Sequence, residues 1–348
     1  MAKLAVADRI AQVRPDTDPK SIASVLARES PQRVQFSEPL PERLLEAVAN
    51  ALARFPEVGL RVYGRSLDPS LAWLEPFAHV GDLTVDLWQV TSFDRLASFR
   101  NLRRLSLGET SSKKPSLAFV RDLLRLEVLY VEAHDRDFEA IGEVETLRQL
   151  HLRVPRAKNL DPLGGLPRLE LIEIDFGAIR DLRPLAEIPC LLAVGLYQVR
   201  ELETTDLDAL GECPSLLALS LGALRNVTRL SALAGRPRGT LRYLTLERMT
   251  GWKRWPTSPP ATLSSRSTWS SRSRATGASI SPPAAGRCGI SSSATATRRT
   301  RSTPLRPPSQ ARRSGSTVGR CAGIPSPAAS WSAGAARSSD TSLPRAPR

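Results

Sequence analysis

Six-residue stretches of one pattern recur along the first three quarters of the chain. An aliphatic residue, usually leucine, stands at the first, fourth and sixth places, with varied residues between. The stretches LRRLSL, LEVLYV, LRQLHL, LELIEI, LLAVGL, LLALSL and LRYLTL begin at 102, 126, 147, 169, 191, 216 and 241. VGDLTV fits at 80 with valine allowed, and EVGLRV fits more weakly at 57. Successive starts are 21 to 25 residues apart, and 26 of the 27 anchor positions are apolar, Glu57 being the exception. With 41 % hydrophobic residues overall, chance does not place anchors this regularly. The pattern is an internal repeat.

Within each stretch the apolar positions alternate, which predicts a short strand. The segments between strands also align. NLDPLGGLPRL, IRDLRPLAEIPCL and TTDLDALGECPSL place Leu160, Leu182 and Leu207 at one offset and Leu163, Leu185 and Leu210 at another. Pro167, Pro189 and Pro214 each stand two residues before the next stretch. Such segments suit one or two turns of α- or 3-10 helix ended by the proline. One repeat is thus a strand, a turn, a short helix and a return.

These stretches resemble leucine-rich repeats, of the short bacterial internalin-like kind, in about nine units of ~23 residues. The resemblance covers 57–256 and implies an α/β solenoid: a parallel sheet on the concave face, with short helices or 3-10 turns on the convex face. One departure stands out. The asparagine that ordinarily follows the strand and ties successive turns through its amide is missing. Thr110, His134, Pro155, Gly177, Val199, Leu224 and Met249 stand in its place. Apolar packing is therefore expected to replace that amide ladder in the later repeats.

A repeat cannot bury its own apolar edge, so a solenoid needs covered ends. PLPERLLEAVANALARFPEV carries Leu40, Leu44, Val48 and Leu52 at i, i+4 spacing with Leu45 on the flank. Pro41 opens that helix and Pro56 ends it. With RVQF before it as an edge strand, 33–56 reads as the N-terminal cap, and 1–32 as a loosely ordered N-terminal segment without a clear period.

At the other end the pattern stops. Leu263 begins a further stretch, but Arg266 and Thr268 occupy the remaining anchors. From Thr257 onward there are three leucines and no Glu, Lys or His. Residues 257–348 cannot bury enough apolar area to offset ordering entropy, and read as a disordered Arg/Ser/Pro/Ala-rich tail. Three explanations compete: a natural disordered tail, an Arg-rich RNA-binding tail, and a slipped reading frame near Trp252–Pro260. The missing cap favours the third. Half-exposing Leu241, Leu244 and Leu246 costs roughly 2–5 kcal/mol, against a usual total stability of about 5–15. The gene sequence across codons 245–270 decides it, because a slipped frame must restore the leucine pattern.

Charge follows the same division. The formal net charge is +14, but after Pro256 there are fourteen Arg, no Lys and one acid, Asp340. All but one of the net charges therefore lie in the tail, and any affinity for polyanions concerns the tail alone. Cys190, Cys213, Cys288 and Cys321 have no metal-knuckle spacing, and the first two read as buried thiols. The first residues do not form a secretory signal, and no apolar run approaches a membrane span. A cytoplasmic location is the expectation, with no membrane association.

In such a sheet the anchors point into the core, and the residues two, four and six places after each start point outward. All four tyrosines, Tyr63, Tyr130, Tyr197 and Tyr243, occupy outward positions. Tyrosine combines rigid apolar area with a hydrogen-bonding tip, which suits protein recognition. The same face carries Asp82, Asp86, Glu132, Glu173, Asp175 and Glu247 against Arg61, Arg104 and Arg153, with His151 and Trp88 beside them. Glu132, Arg153, Glu173 and Asp175 are expected to be lateral neighbours. A mildly acidic, aromatic face argues against phosphate backbones and for a basic or mixed protein patch.

Catalysis has little support. His151 faces the open sheet between carboxylates, which reads as a solvated cluster rather than an acid–base pair. No phosphate loop, nucleophile elbow or zinc-protease helix is present. The expected function is a non-catalytic binding module holding a protein partner on its concave sheet, without cofactor or metal. The site residues are Tyr63, Trp88, Tyr130, Glu132, His151, Arg153, Glu173, Asp175, Tyr197, Tyr243 and Glu247. The alternatives are a regulatory or targeting subunit of an enzyme, and nucleic-acid association through the basic tail.

Overall fold

The computed structural model describes residues 2–155, 159–230 and 241–250. The expectations for 257–348, including the reading-frame question, lie outside the described residues. Every six-residue stretch becomes a strand: β4 (Gly59–Gly64), β5 (Asp82–Leu87), β6 (Arg104–Leu107), β7 (Val128–Glu132), β8 (Gln149–Arg153), β9 (Leu171–Asp175), β10 (Ala193–Tyr197), β11 (Ala218–Gly222) and β12 (Tyr243–Glu247). They follow β1 (Ala5–Ala7), β2 (Ile10–Gln12) and β3 (Arg33–Phe36) in one twelve-stranded sheet whose spatial order is the chain order. All pairs are parallel except β1 with β2.

Register follows the repeat. Leu150, Ile172, Val194, Leu219 and Leu244 stand at the same offset and pair across β8 to β12. A slip of one residue in any strand would turn its leucines out of the core, so the anchors fix the ladder. At the weak first stretch, EVGLRV, Val58 and not Glu57 is buried, which removes the single polar exception from the core. The returns are 3-10 turns at Ala72–Phe77, Asp94–Ser98, Ala118–Asp122, Phe138–Glu143, Asp161–Leu163 and Thr205–Leu207, and two short helices, α3 (Arg183–Ala186) and α4 (Asp208–Glu212). The aligned leucines Leu160, Leu163, Leu182, Leu185, Leu207 and Leu210 are all buried beneath them. This is a leucine-rich repeat solenoid: sheet on one side, short helices and 3-10 turns on the other.

A recurrent turn leaves the strands from β7 onward. The seventh residue after each start from 126 onward is left-handed: Ala133, Val154, Phe176, Gln198, Ala223 and Arg248 all have φ between 49° and 62°. Each of the first five donates its backbone N–H to the last strand residue of the next repeat, as Phe176 does to the Tyr197 carbonyl at 2.9 Å. A backbone ladder thus does part of the work of the missing asparagine amides. At the asparagine position itself, Val199 and Leu224 are buried apolar plugs, as expected, but His134 is a polar one. Its Nε2 lies 3.0 Å from the Gly108 carbonyl, and its ring stands edge-on to Phe93.

The N-terminal end differs from expectation. Residues 2–32 are part of the fold: β1 and β2 form a hairpin, and α1 (Ile22–Glu29) packs Ile22, Val25 and Leu26 into the core. The hairpin turn at Asp8 and Arg9 has positive φ at both central residues, the type I′ geometry that matches strand twist. RVQF is accordingly β3, an interior strand between β2 and β4, not an edge. The expected helix is present as α2 (Glu42–Arg54), burying Leu44, Val48 and Leu52. At the other end Leu241 is buried while Leu244 and Leu246 are only partly so. Among the described residues no helix is long and apolar enough to cross a membrane.

Candidate binding face

The side of the sheet opposite the helices presents the outward positions in three lateral rows. The first row runs from Asp82 through Arg104, Val128, Gln149, Leu171, Ala193 and Ala218 to Tyr243. The second runs from Gln12 through Gln35, Arg61, Thr84, Ser106, Tyr130, His151, Glu173, Gly195 and Ser220 to Thr245. In the third, Glu132, Arg153, Asp175, Tyr197, Gly222 and Glu247 are successive neighbours, and Tyr63 stands beside Asp86. Neighbouring strands are ~4.8 Å apart, close enough for adjacent long side chains to touch.

The densest part is β7 to β10. Arg153 Nε donates to Glu132 Oε1 at 2.9 Å, and the Arg153 guanidinium lies 5.0 Å over the Phe176 ring. Phe176 in turn meets Tyr197 edge-on at 5.7 Å. The Tyr197 hydroxyl accepts from Arg248 at 3.3 Å. In the second row His151 Nδ1 and Glu173 Oε2 are 2.6 Å apart, with the Tyr130 ring 6.4 Å from the imidazole. Glu132, Arg153 and Asp175 are lateral neighbours, whereas Glu173 is the neighbour of His151. His151 therefore has a carboxylate on one side and a phenol on the other, not two carboxylates.

Electrostatics single out the same strands. Burial, with the neighbouring Glu132 carboxylate, pushes the Tyr130 phenol up to about 12, while Arg153 acts in the opposite direction. Burial raises Glu132 above the usual carboxylate range against the pull of Arg153. It also raises Asp175, helped by repulsion from Glu173 and opposed by Arg153 and His151. One arginine thus serves two partly dehydrated carboxylates, and the negative charge there is incompletely balanced.

The remaining candidates lie apart from this patch. Tyr63, six strands from Tyr197, donates to Gln12 Oε1 at 3.1 Å and has Arg61 stacked 4.7 Å from its ring centre. Arg61 also bonds Asp86 at 2.7 Å. Trp88 follows β5 in a turn, exposed, with Arg65 5.3 Å over its ring. Tyr243 and Glu247 are exposed on β12. The four phenols share a face but stand two to three strands apart, not in one aromatic cluster.

Two features were not anticipated. Outward positions are not uniformly solvent-facing: Leu171, Ala193 and Ala218 are buried as a separate small apolar cluster. They are lateral neighbours in the first row and pack on one another. A Cβ on Gly222 would come within 2.3 Å of the Tyr197 ring, and one on Gly195 within 3.1 Å of Glu173. Those side chains lie over the small residues of the next strand. The second feature is Phe176, in the left-handed turn beyond β9, which joins Arg153 to Tyr197. Its only sequence signal is an aromatic one place beyond the outward positions.

Among the described residues no group of three or more His, Cys, Asp or Glu side chains could hold a metal ion. No protein-family model matches the chain. No curated protein matches it either. Among solved structures it is similar to internalin C2 of Listeria monocytogenes, at 21 % identity, over 50 % of this chain and 74 % of that one, with a TM-score of 0.40. It is similar to internalin F of the same organism at 14 % identity, over 69 % and 94 %, with a TM-score of 0.42. It is also similar to TLR13 in its complex with ssRNA13 at 16 % identity, over 70 % and 38 %, with a TM-score of 0.45.

Proposed function

We propose that this solenoid is a non-catalytic module that captures a protein partner on the open face of its sheet, centred on β7 to β10. The observation that carries the reading is the patch built by Tyr130, Glu132, His151, Arg153, Glu173, Asp175 and Tyr197. It combines amphipathic aromatic area with carboxylates whose charge is incompletely balanced. Aromatic anchors supply contact area at low entropic cost, and a partner cation would relieve the dehydrated acids. The partner patch is therefore basic or mixed. A negative polymer backbone would meet like charge there.

The test is the paired replacement Tyr130→Ala with Tyr197→Ala. Wild-type chain is used as bait, the captured protein is identified and purified, and its affinity for both forms is measured beside a melting curve. Affinity lost with an unchanged melt supports the reading, and unchanged affinity refutes it.

A further inference from the structure

Among the described residues strand β12 is the last in the sheet, paired on one side only. The odd-numbered residues face β11: Tyr243 N–H donates to the Leu217 carbonyl, and the Glu247 carbonyl accepts from Ala223 N–H. By the alternation of a parallel ladder, the main-chain N–H and C=O of Leu244 and Leu246 point the other way. Among the described residues no strand receives them. The side chains of the same two residues are core anchors, yet they are only partly buried, whereas Leu219 and Leu221 on β11 are buried. An edge with unpaired backbone groups and half-covered leucines is a template for another strand.

We propose that a second copy of this chain pairs with β12 in antiparallel fashion, about a two-fold axis through Thr245. Three observations select this occupant. First, β12 is complementary to itself in that register. Leu244 lies opposite Leu246 of the second copy on the core side, and Tyr243 lies opposite Glu247 on the open side, where a phenol can donate to a carboxylate. The outward-pointing backbone groups of the leucines then exchange four hydrogen bonds. A shift of one residue would set leucines against the other face, and a shift of two would set one opposite Arg242 or Arg248. Second, the chain beyond the strand offers no tenth stretch of the pattern, because Arg266 and Thr268 occupy the anchor places after Leu263. Third, the far end of the sheet is a poor partner. There β1 is three residues long and already folded back on β2 as a hairpin.

The pairing is isologous and closes at two copies, so it makes a dimer rather than a filament. The axis stands perpendicular to the sheet, which puts both open faces on the same side.

The experiment uses the full chain. Wild type is sedimented under reducing conditions at micromolar concentration, beside Leu246→Lys, which places a charge on the edge. The expected result is twice the monomer mass for wild type and the monomer mass for the variant. Thr245→Cys provides a readout independent of that variant's stability. Opposed residues on the axis have Cβ atoms about 4.5–5.5 Å apart, within small adjustment of disulfide geometry. Mild oxidation should therefore yield a dimer whose peptide map contains a 245–245 disulfide. The proposal is overturned by a monomeric wild type, by a dimer that survives a folded Leu246→Lys variant, or by failure of the 245–245 link to form.

Discussion

Arg153 is the side chain on which the central patch turns, and replacing it with methionine isolates its charge from its apolar stem. Its contacts with Glu132 and Phe176 are lost, along with its attraction to Asp175 and its effect on Tyr130. The bond to Glu132 is charge-assisted, a class worth ~1.5–3 kcal/mol. With Arg153 39 % and Glu132 25 % exposed, screening reduces it to about 1 kcal/mol. The contact with the Phe176 ring adds ~0.5–1 kcal/mol. The sum is about 2 kcal/mol, which in a domain of this size lowers the melting temperature by about 4–8 °C at neutral pH. The pH dependence is the sharper part. Arg153 lowers the pKa of both Glu132 and Asp175, so in its absence both rise further. The electrostatic deficit is full above those raised values and fades as pH falls through them, where the carboxyls are neutral in either protein. Thermal melts of wild type and Arg153→Met across the acid range should therefore converge, leaving only the smaller contribution of the ring contact. A deficit that is the same at neutral and acid pH would show that Arg153 acts by packing, and the charge argument would fail.

Other consequences can be measured on the same material. Folded Asp175 holds its proton more tightly than the unfolded chain, so its charge costs stability above its raised pKa, and that cost disappears as pH falls below the ordinary 3.8. Asp175→Asn should accordingly melt higher than wild type at neutral pH and show no gain at pH well below 3.8; a lower melt at neutral pH contradicts this. Tyr130 should be the tyrosine that ionises at about 12, so Tyr130→Phe removes that step from an ultraviolet phenolate titration. If the step persists, the assignment is wrong. Gly142→Ala drives a Cβ to 2.0 Å from the Pro162 carbonyl oxygen, while Gly165→Ala meets nothing within 4 Å. Denaturant titration should show a loss of ~1–3 kcal/mol or more for the first and no loss for the second.

The repeat region was legible because a three-leucine code specifies strand, face and register together. Once Leu150 and Ile172 are both known to be anchors, Arg153 must stand beside Asp175. The first 32 residues were not legible, for a physical reason. Strands of three residues, Ala-Val-Ala and Ile-Ala-Gln, carry too few buried side chains to show a period, and they are held by backbone pairing with each other and with β3. Within the face, the outward positions followed from alternation alone. The burial of Ala193 and Ala218 did not, because it depends on packing between laterally paired strands, which alternation within one strand does not encode. Phe176 and Arg248 escaped notice because the left-handed turn that aims them lies beyond the strand, where hydrophobic alternation carries no information.

The most direct measurement is site-specific photo-crosslinking to the captured partner. A photoreactive residue replaces Gln149, on the open face, in one protein and Arg121, on an exposed 3-10 turn of the opposite side, in another. Adducts from position 149 and none from 121 are predicted. Adducts from 121 alone would contradict recognition by the sheet.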